Sequence, residues 1–146
     1  MRATVVVWAV MSLGVTRPTD PMPARSLPLR VIVHESNPVA ELPRAEVSRL
    51  FLKRTTRWAD GRPVQPVDQA AKSPVHHDFC RLIHGRQPSA VRHYWQQMIF
   101  SGRAVPPPEK ASDAEVLAFV RANPGAVGYV SAAAPIAGVR ELTVTR

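Results

Sequence analysis

LRVIVH, residues 29–34, is the stretch from which the fold is read. Val31, Ile32 and Val33 are apolar and β-branched without a polar alternate, which suits a short strand buried on both faces. Asn37-Pro38 breaks the run. Leu42-Pro43 then opens a helix in which Val47, Leu50 and Phe51 keep the i, i+3, i+4 spacing of one apolar face. A strand buried on both sides needs helices on both sides, so these first twenty-odd residues already point to a layered α/β domain.

The rest of the chain repeats the alternation. Trp58 precedes an Asp60-Gly61 turn, and Pro63–Val67 (PVQPV) returns as a short extended segment. A helix begins at Ser73 and ends near His84-Gly85. A second starts with Ser89 as its cap, places Val91, Trp95, Met98 and Ile99 on one face, and stops at Gly102. AVPPPEKA is a stiff surface connection. Ser112 and Glu115 form a capping box for the helix carrying Val116, Leu117, Phe119 and Val120. Asn123-Pro124-Gly125 ends that helix, Ala126–Ser131 (AVGYVS) reads as a strand, and Val139–Thr145 alternates like a final half-exposed one. The expected architecture is a mostly parallel sheet flanked by helices.

Size and charge bound the function. The 146 residues, 45% of them hydrophobic and only seven of them glycine, suffice for one domain with a real core. Arg2, the apolar run Ala3–Val15 and the polar TRPTDPMPARS after it read as a signal peptide or N-terminal anchor over residues 1–25. Thirteen mostly apolar residues are fewer than the roughly 20 a spanning helix needs. The competing reading is a buried N-terminal strand. Met22-Pro23-Ala24 lacks the small residue expected two positions before a cleavage site, so a retained tether stays open. Residues 26–146 are the folded domain, placed in the periplasm or another extracytoplasmic space. The single cysteine, Cys80, cannot close an internal disulfide and is read as a small buried hydrophobe. Net charge is +8, and eleven Lys or Arg face four acids between Arg44 and Arg103, a balance that attracts anions.

KSPVHHDFC, residues 72–80, gathers the polar chemistry. Serine before proline is a strong helix start, and Val75, Phe79, Leu82 and Ile83 then fall on one core-facing stripe. His76, Cys80 and His84 line a second stripe at i, i+4, i+8, but the outer two lie about 12 Å apart along the axis at 1.5 Å per residue, too far to share an ion. Two ligands are fewer than a zinc site wants, so no metal and no cofactor is expected. The histidines are read as surface groups beside a buried cysteine. The helix start itself is the candidate anion site: Ser73 with its hydroxyl, Val75 and His76 with free backbone N–H groups, and Lys72 for charge. No catalytic residue is assigned, because Ser73 lacks a strand-to-helix elbow and a third partner.

The order of landmarks carries a resemblance. VIVHESNPV (31–39), LPRAEVSRLFL (42–52), RWADGRPVQPVD (57–68), SPVHHDF (73–79), YWQQMIFSGRAVPP (94–107) and NPGAVGYVS (123–131) together resemble the phosphate ABC transporter substrate-binding protein family in its short, single-lobe form. That resemblance implies a periplasmic-binding-protein-like domain of type II fold, with phosphate or a similar oxyanion as ligand and a membrane transporter as partner. It also implies a loop of pattern R-x-x-x-S-G-T beneath the phosphate. Gln69, Ser73, Pro74 and Val75 stand at those positions, so only the serine is kept, and His76 stands where the short form has an arginine. One lobe supplies half a cleft, which implies a homodimer or another chain to complete it. The competing function is an interaction or sensory scaffold of the cell envelope that has lost phosphate binding. Nucleic acid is not expected, since no aromatic platform accompanies the basic residues.

Overall fold

A computed structural model describes residues 27–146. The expected signal peptide or N-terminal anchor, residues 1–25, lies outside the described residues. Twelve short elements follow in order: β1 (Leu29–His34), β2 (Glu41–Pro43), α1 (Arg44–Phe51), β3 (Gln65–Pro66), β4 (Asp68–Gln69), α2 (Pro74–Phe79) running into a π-helical turn (Cys80–His84), α3 (Pro88–Phe100), β5 (Glu109–Lys110), α4 (Asp113–Ala122), β6 (Ala126–Ser131) and β7 (Val139–Thr145).

β1 is the middle of a five-stranded sheet of order β2-β7-β1-β6-β3, and it is buried as LRVIVH predicts. Period-two alternation sends its side chains to two different layers. Leu29, Val31 and Val33 join Val127, Tyr129, Val47, Leu50, Phe51 and Phe79 on the side covered by α1 and α2. Ile32 and Val130 face the opposite side, where Val116, Leu117 and Val120 of α4 cover them. Gly128 lets α4 come close: a Cβ there would stand 2.8 Å from methyls of both Val116 and Val67. α3 packs outside the first layer through a smaller cluster of Leu52, Cys80, Val91 and Trp95.

The α/β class with helices on both faces is as expected, while the sheet is mixed rather than largely parallel. β1 runs antiparallel to both β6 and β7, and the parallel pairs are β2 with β7 and β3 with β6. The last connection sets the direction of β7. Leu29 pairs with Ser131 and His34 with Val139, so residues 132–138 travel back along the full length of β1 before β7 begins. Ala134 and Ile136 pack into the α4 layer on the way. A parallel two-stranded sheet, β4 with β5, stands apart.

Local signals fix most boundaries. Ser112 Oγ accepts from the Glu115 N–H, and Glu115 reaches back to the Ala111 N–H, so the capping box forms one residue wider than its usual version. Gly85 and Gly102, at φ 64° and 66°, terminate the π-helical turn and α3 in the left-handed conformation. Ser89 is not the cap of α3: Gln87 occupies that position and Pro88 takes the first helical place. The earlier proline needs no cap hydroxyl to set φ, and its missing N–H removes one orphan donor. Trp58 Nε1 donates to Gly125 O at 2.9 Å, tying the W-x-D-G loop to the N-P-G turn 67 residues away.

Candidate functional site around Asp68, His76 and Tyr129

Three elements meet at the start of α2. β4 presents Asp68 and Gln69, α2 presents His76, and β6 presents Tyr129 from its helix-covered face. The ring of Tyr129 stacks on Phe79, with centroids 3.9 Å apart and planes 6° from parallel. That stack aims the phenol out of the core, and its hydroxyl donates to Asp68 Oδ1. His76 Nδ1 lies 3.0 Å from the same oxygen, and its Nε2 lies 3.5 Å from Cys80 Sγ. Nδ1 carries a proton, because only a protonated Nδ1 can donate to the carboxylate.

The electrostatics follow from this crowding. Burial disfavours a charged imidazole at His76, but the Asp68 hydrogen bond and the Cys80 contact outweigh it and hold its pKa at about 10. His76 is therefore an imidazolium paired with Asp68 at neutral pH. Burial, and then the negative charge of Asp68, push the Tyr129 phenol upward, so it remains a donor. His84 goes the other way. Burial lowers it to about 4, and as a neutral ring it shares a 2.7 Å hydrogen bond with Ser48 Oγ.

The expected site residues are partly brought together. Lys72 sits exposed in the turn before α2. Ser73 does precede the helix, but its hydroxyl donates to Gln69 Oε1 at 3.2 Å and caps no N–H. Val75 turns its side chain into the first core layer. Its N–H and that of His76 belong to the first turn, where helix geometry provides no partner. His76 is buried at 8% exposure, unlike the surface histidine expected, while His77 is exposed. Its place follows from Asp68, which gives a buried imidazole the partner it requires.

Gln69 explains why the loop departs from R-x-x-x-S-G-T. It is buried, and its Nε2 donates to Asp113 Oδ1 at 2.7 Å and to Tyr129 O at 3.0 Å while its Oε1 accepts from Ser73. Asp113 also accepts from the N–H and hydroxyl of Ser131. Gln69 thus binds its own framework with both ends. Sequence reasoning missed Asp68 and Tyr129. A usable signal existed for the second, since a phenol on a strand buried at every neighbouring position has to find an acceptor.

A groove of about 320 Å³ opens beside the network, with Asp68 and His76 at its wall and Val91, Trp95 and Ile99 across from them. Asp68, His76 and Cys80 stand in the order of an acid–imidazole–thiol relay. Cys80 is fully buried, however, so its sulfur cannot touch a substrate in this conformation. Among the described residues no group of three His, Cys, Asp or Glu side chains is placed to hold a metal, and no helix is long and apolar enough to cross a membrane.

Comparison with known proteins defines the class by fold. No protein-family model matches the chain, and no curated protein matches it. Solved structures do. An ABC-type phosphate transport receptor from Vibrio cholerae superposes with TM-score 0.62 at 19% identity, over 80% of this chain and 45% of that one. A phosphate ABC transporter substrate-binding protein with bound phosphate from Clostridium perfringens gives 0.64 at 19%, over 80% and 44%. PstS from Borrelia burgdorferi gives 0.59 at 11%, over 80% and 47%. The domain therefore has a periplasmic-binding-protein-like fold. It spans less than half the length of these proteins.

Proposed function

We propose that this chain is an exported oxyanion-binding domain of the substrate-binding-protein type, accessory to ABC-type phosphate uptake and not an enzyme. The observation that carries the reading is the shared lobe: the structures it resembles are phosphate receptors, one of them with phosphate bound. The anion would rest at the start of α2, on the Val75 and His76 N–H groups and the Ser73 hydroxyl, with Lys72 beside it. The His76 imidazolium is paired with Asp68, which neutralises it, so the site draws its net attraction from Lys72 and the helix end. With no arginine, a phosphate held here keeps much of its hydration, and an affinity near the millimolar level, about 4 kcal/mol, is expected. A second copy or another envelope chain would close the open side.

One observation favours the second reading, a non-transporting scaffold of the cell envelope. Gln69, at the position where the resemblance calls for an arginine, is satisfied entirely by Ser73, Asp113 and Tyr129, leaving nothing aimed at a ligand.

Isothermal titration with phosphate, and with sulfate as control, separates the two. Saturable phosphate binding that Ser73→Ala weakens by tenfold or more supports the first reading. No heat at tens of millimolar phosphate (well beyond the roughly 1 mM expected) establishes the second, and capture of an envelope partner becomes the next experiment.

A further inference from the structure

The large apolar side chains left exposed among the described residues are Ile99, Phe100 and Val105, at 51%, 91% and 64%. All three lie within seven residues, on either side of the Gly102 turn that ends α3. Single exposed hydrophobes are ordinary, but three around one turn, with Phe100 almost wholly in solvent, call for an account.

The same turn is ringed by positive charge. A groove of about 800 Å³ has Lys53, Arg54 and Arg103 in its wall together with Tyr94 and Phe100, and no carboxylate lines it. Among the described residues none of those three cations makes an ion pair. Arg54 lies over the Tyr94 ring, 5.5 Å from its centre, and also lines the next groove, which Arg44 and Arg86 extend.

We propose that this tip, Phe100 and Val105 flanked by Lys53, Arg54 and Arg103, docks on an anionic lipid surface. A bilayer interface offers acyl chains for a wedge of protruding apolar side chains and phosphates for the cations around it. A folded acidic protein would match the charge but would need a pocket of its own for Phe100, whose ring stands almost wholly in solvent. Aliphatic neighbours at 99 and 105 also suit acyl chains better than the stacked bases of a nucleic acid. The groove that Phe100 shares with Lys53, Arg54 and Arg103 holds no residue of the start of α2, so this assignment and the anion-binding reading stand or fall independently.

Amide hydrogen exchange of the full chain tests it, because residues 99–105 report on the tip whatever the apolar run Ala3–Val15 does. The chain is compared on vesicles of phosphatidylcholine alone and of phosphatidylcholine mixed with phosphatidylglycerol. Exchange over 99–105 should slow by about fivefold on the anionic vesicles only, and the protection should fade as salt is raised. Phe100→Ser and Arg103→Glu should each abolish it, while Arg92→Glu, about two turns of α3 away and outside the groove that Phe100 shares with Lys53, Arg54 and Arg103, should leave it. Equal protection on both vesicle types, none on either, or equal loss with Arg92→Glu would overturn the proposal. So would equal protection by soluble poly-glutamate, which would make an acidic protein segment the partner.

Discussion

His76 and Asp68 are eight residues apart in sequence and 3.0 Å apart in space, joined through Nδ1 and a carboxylate oxygen that also receives the Tyr129 hydroxyl. The pair clamps α2 to β4, while Tyr129 ties both to the central sheet. Any change in its charge is therefore felt by three elements at once.

Stability should consequently depend on pH from both sides. The His76 pKa is raised from 6.5 to about 10, so its contribution is complete below about 6.5 and is lost as pH rises through about 10. The His84 pKa is lowered to about 4, so its contribution is present above about 6.5 and is lost as pH falls through about 4. Urea midpoints should peak near neutral pH and decline toward both pH 4 and pH 10. His76→Gln should flatten the alkaline limb and leave the acid limb. An alkaline decline that survives this substitution would place its source elsewhere.

Tyr129→Phe keeps the stack on Phe79 and removes the hydroxyl from Asp68. Leaving the part-buried acceptor short of a donor should cost about 1 kcal/mol in urea unfolding. In a double-mutant cycle with His76→Gln the two losses should fall short of their sum, because both act on one carboxylate oxygen. Strict additivity would show that the two donors act independently.

Gly128→Ala tests the close approach of α4 to β6. The added methyl would meet Val116 and Val67 at 2.8 Å, and relieving that contact should cost about 1–3 kcal/mol and lower the melting temperature by several degrees. Gly85→Ala meets no atom within 4 Å and is strained only by its φ of 64°, so its cost should be the smaller, about 1 kcal/mol.

These residues also mark how far the sequence could be read. Leu29–His34, the α1 face of Val47, Leu50 and Phe51, and the Ser112 cap of α4 are legible because each signal is local: alternation, 3.6-residue spacing, or a hydroxyl three residues before an N–H. The direction of β1 is not local. It shows only against β6 and β7, far along the chain, and an apolar strand reads the same in either direction. The site divides in the same way. Ser73-Pro74 announces the helix start, but Asp68 finds Tyr129 across 61 positions, and nothing near Ser73 tells that its hydroxyl will choose Gln69 over the helix N–H groups. His76 is the instructive case, since its stripe on the helix is correct and its burial is decided by a carboxylate on another element.

Gln69→Arg is the substitution that asks whether the start of α2 is an anion site at all. The guanidinium would replace an amide that donates to Asp113 and to Tyr129 O, so it can keep the Asp113 contact as an ion pair and retain much of the framework. It would lose the acceptor that now engages Ser73, freeing that hydroxyl to turn toward the N–H groups of Val75 and His76. Both changes favour an oxyanion, one by adding charge beside the helix end and the other by adding a donor. Phosphate affinity in titration calorimetry should rise by tenfold or more, about 1.4 kcal/mol for each factor of ten, with sulfate following less steeply or not at all. If the variant folds with an unchanged urea midpoint and phosphate gives no heat, the start of α2 is a plain helix end, and the scaffold reading holds for this lobe.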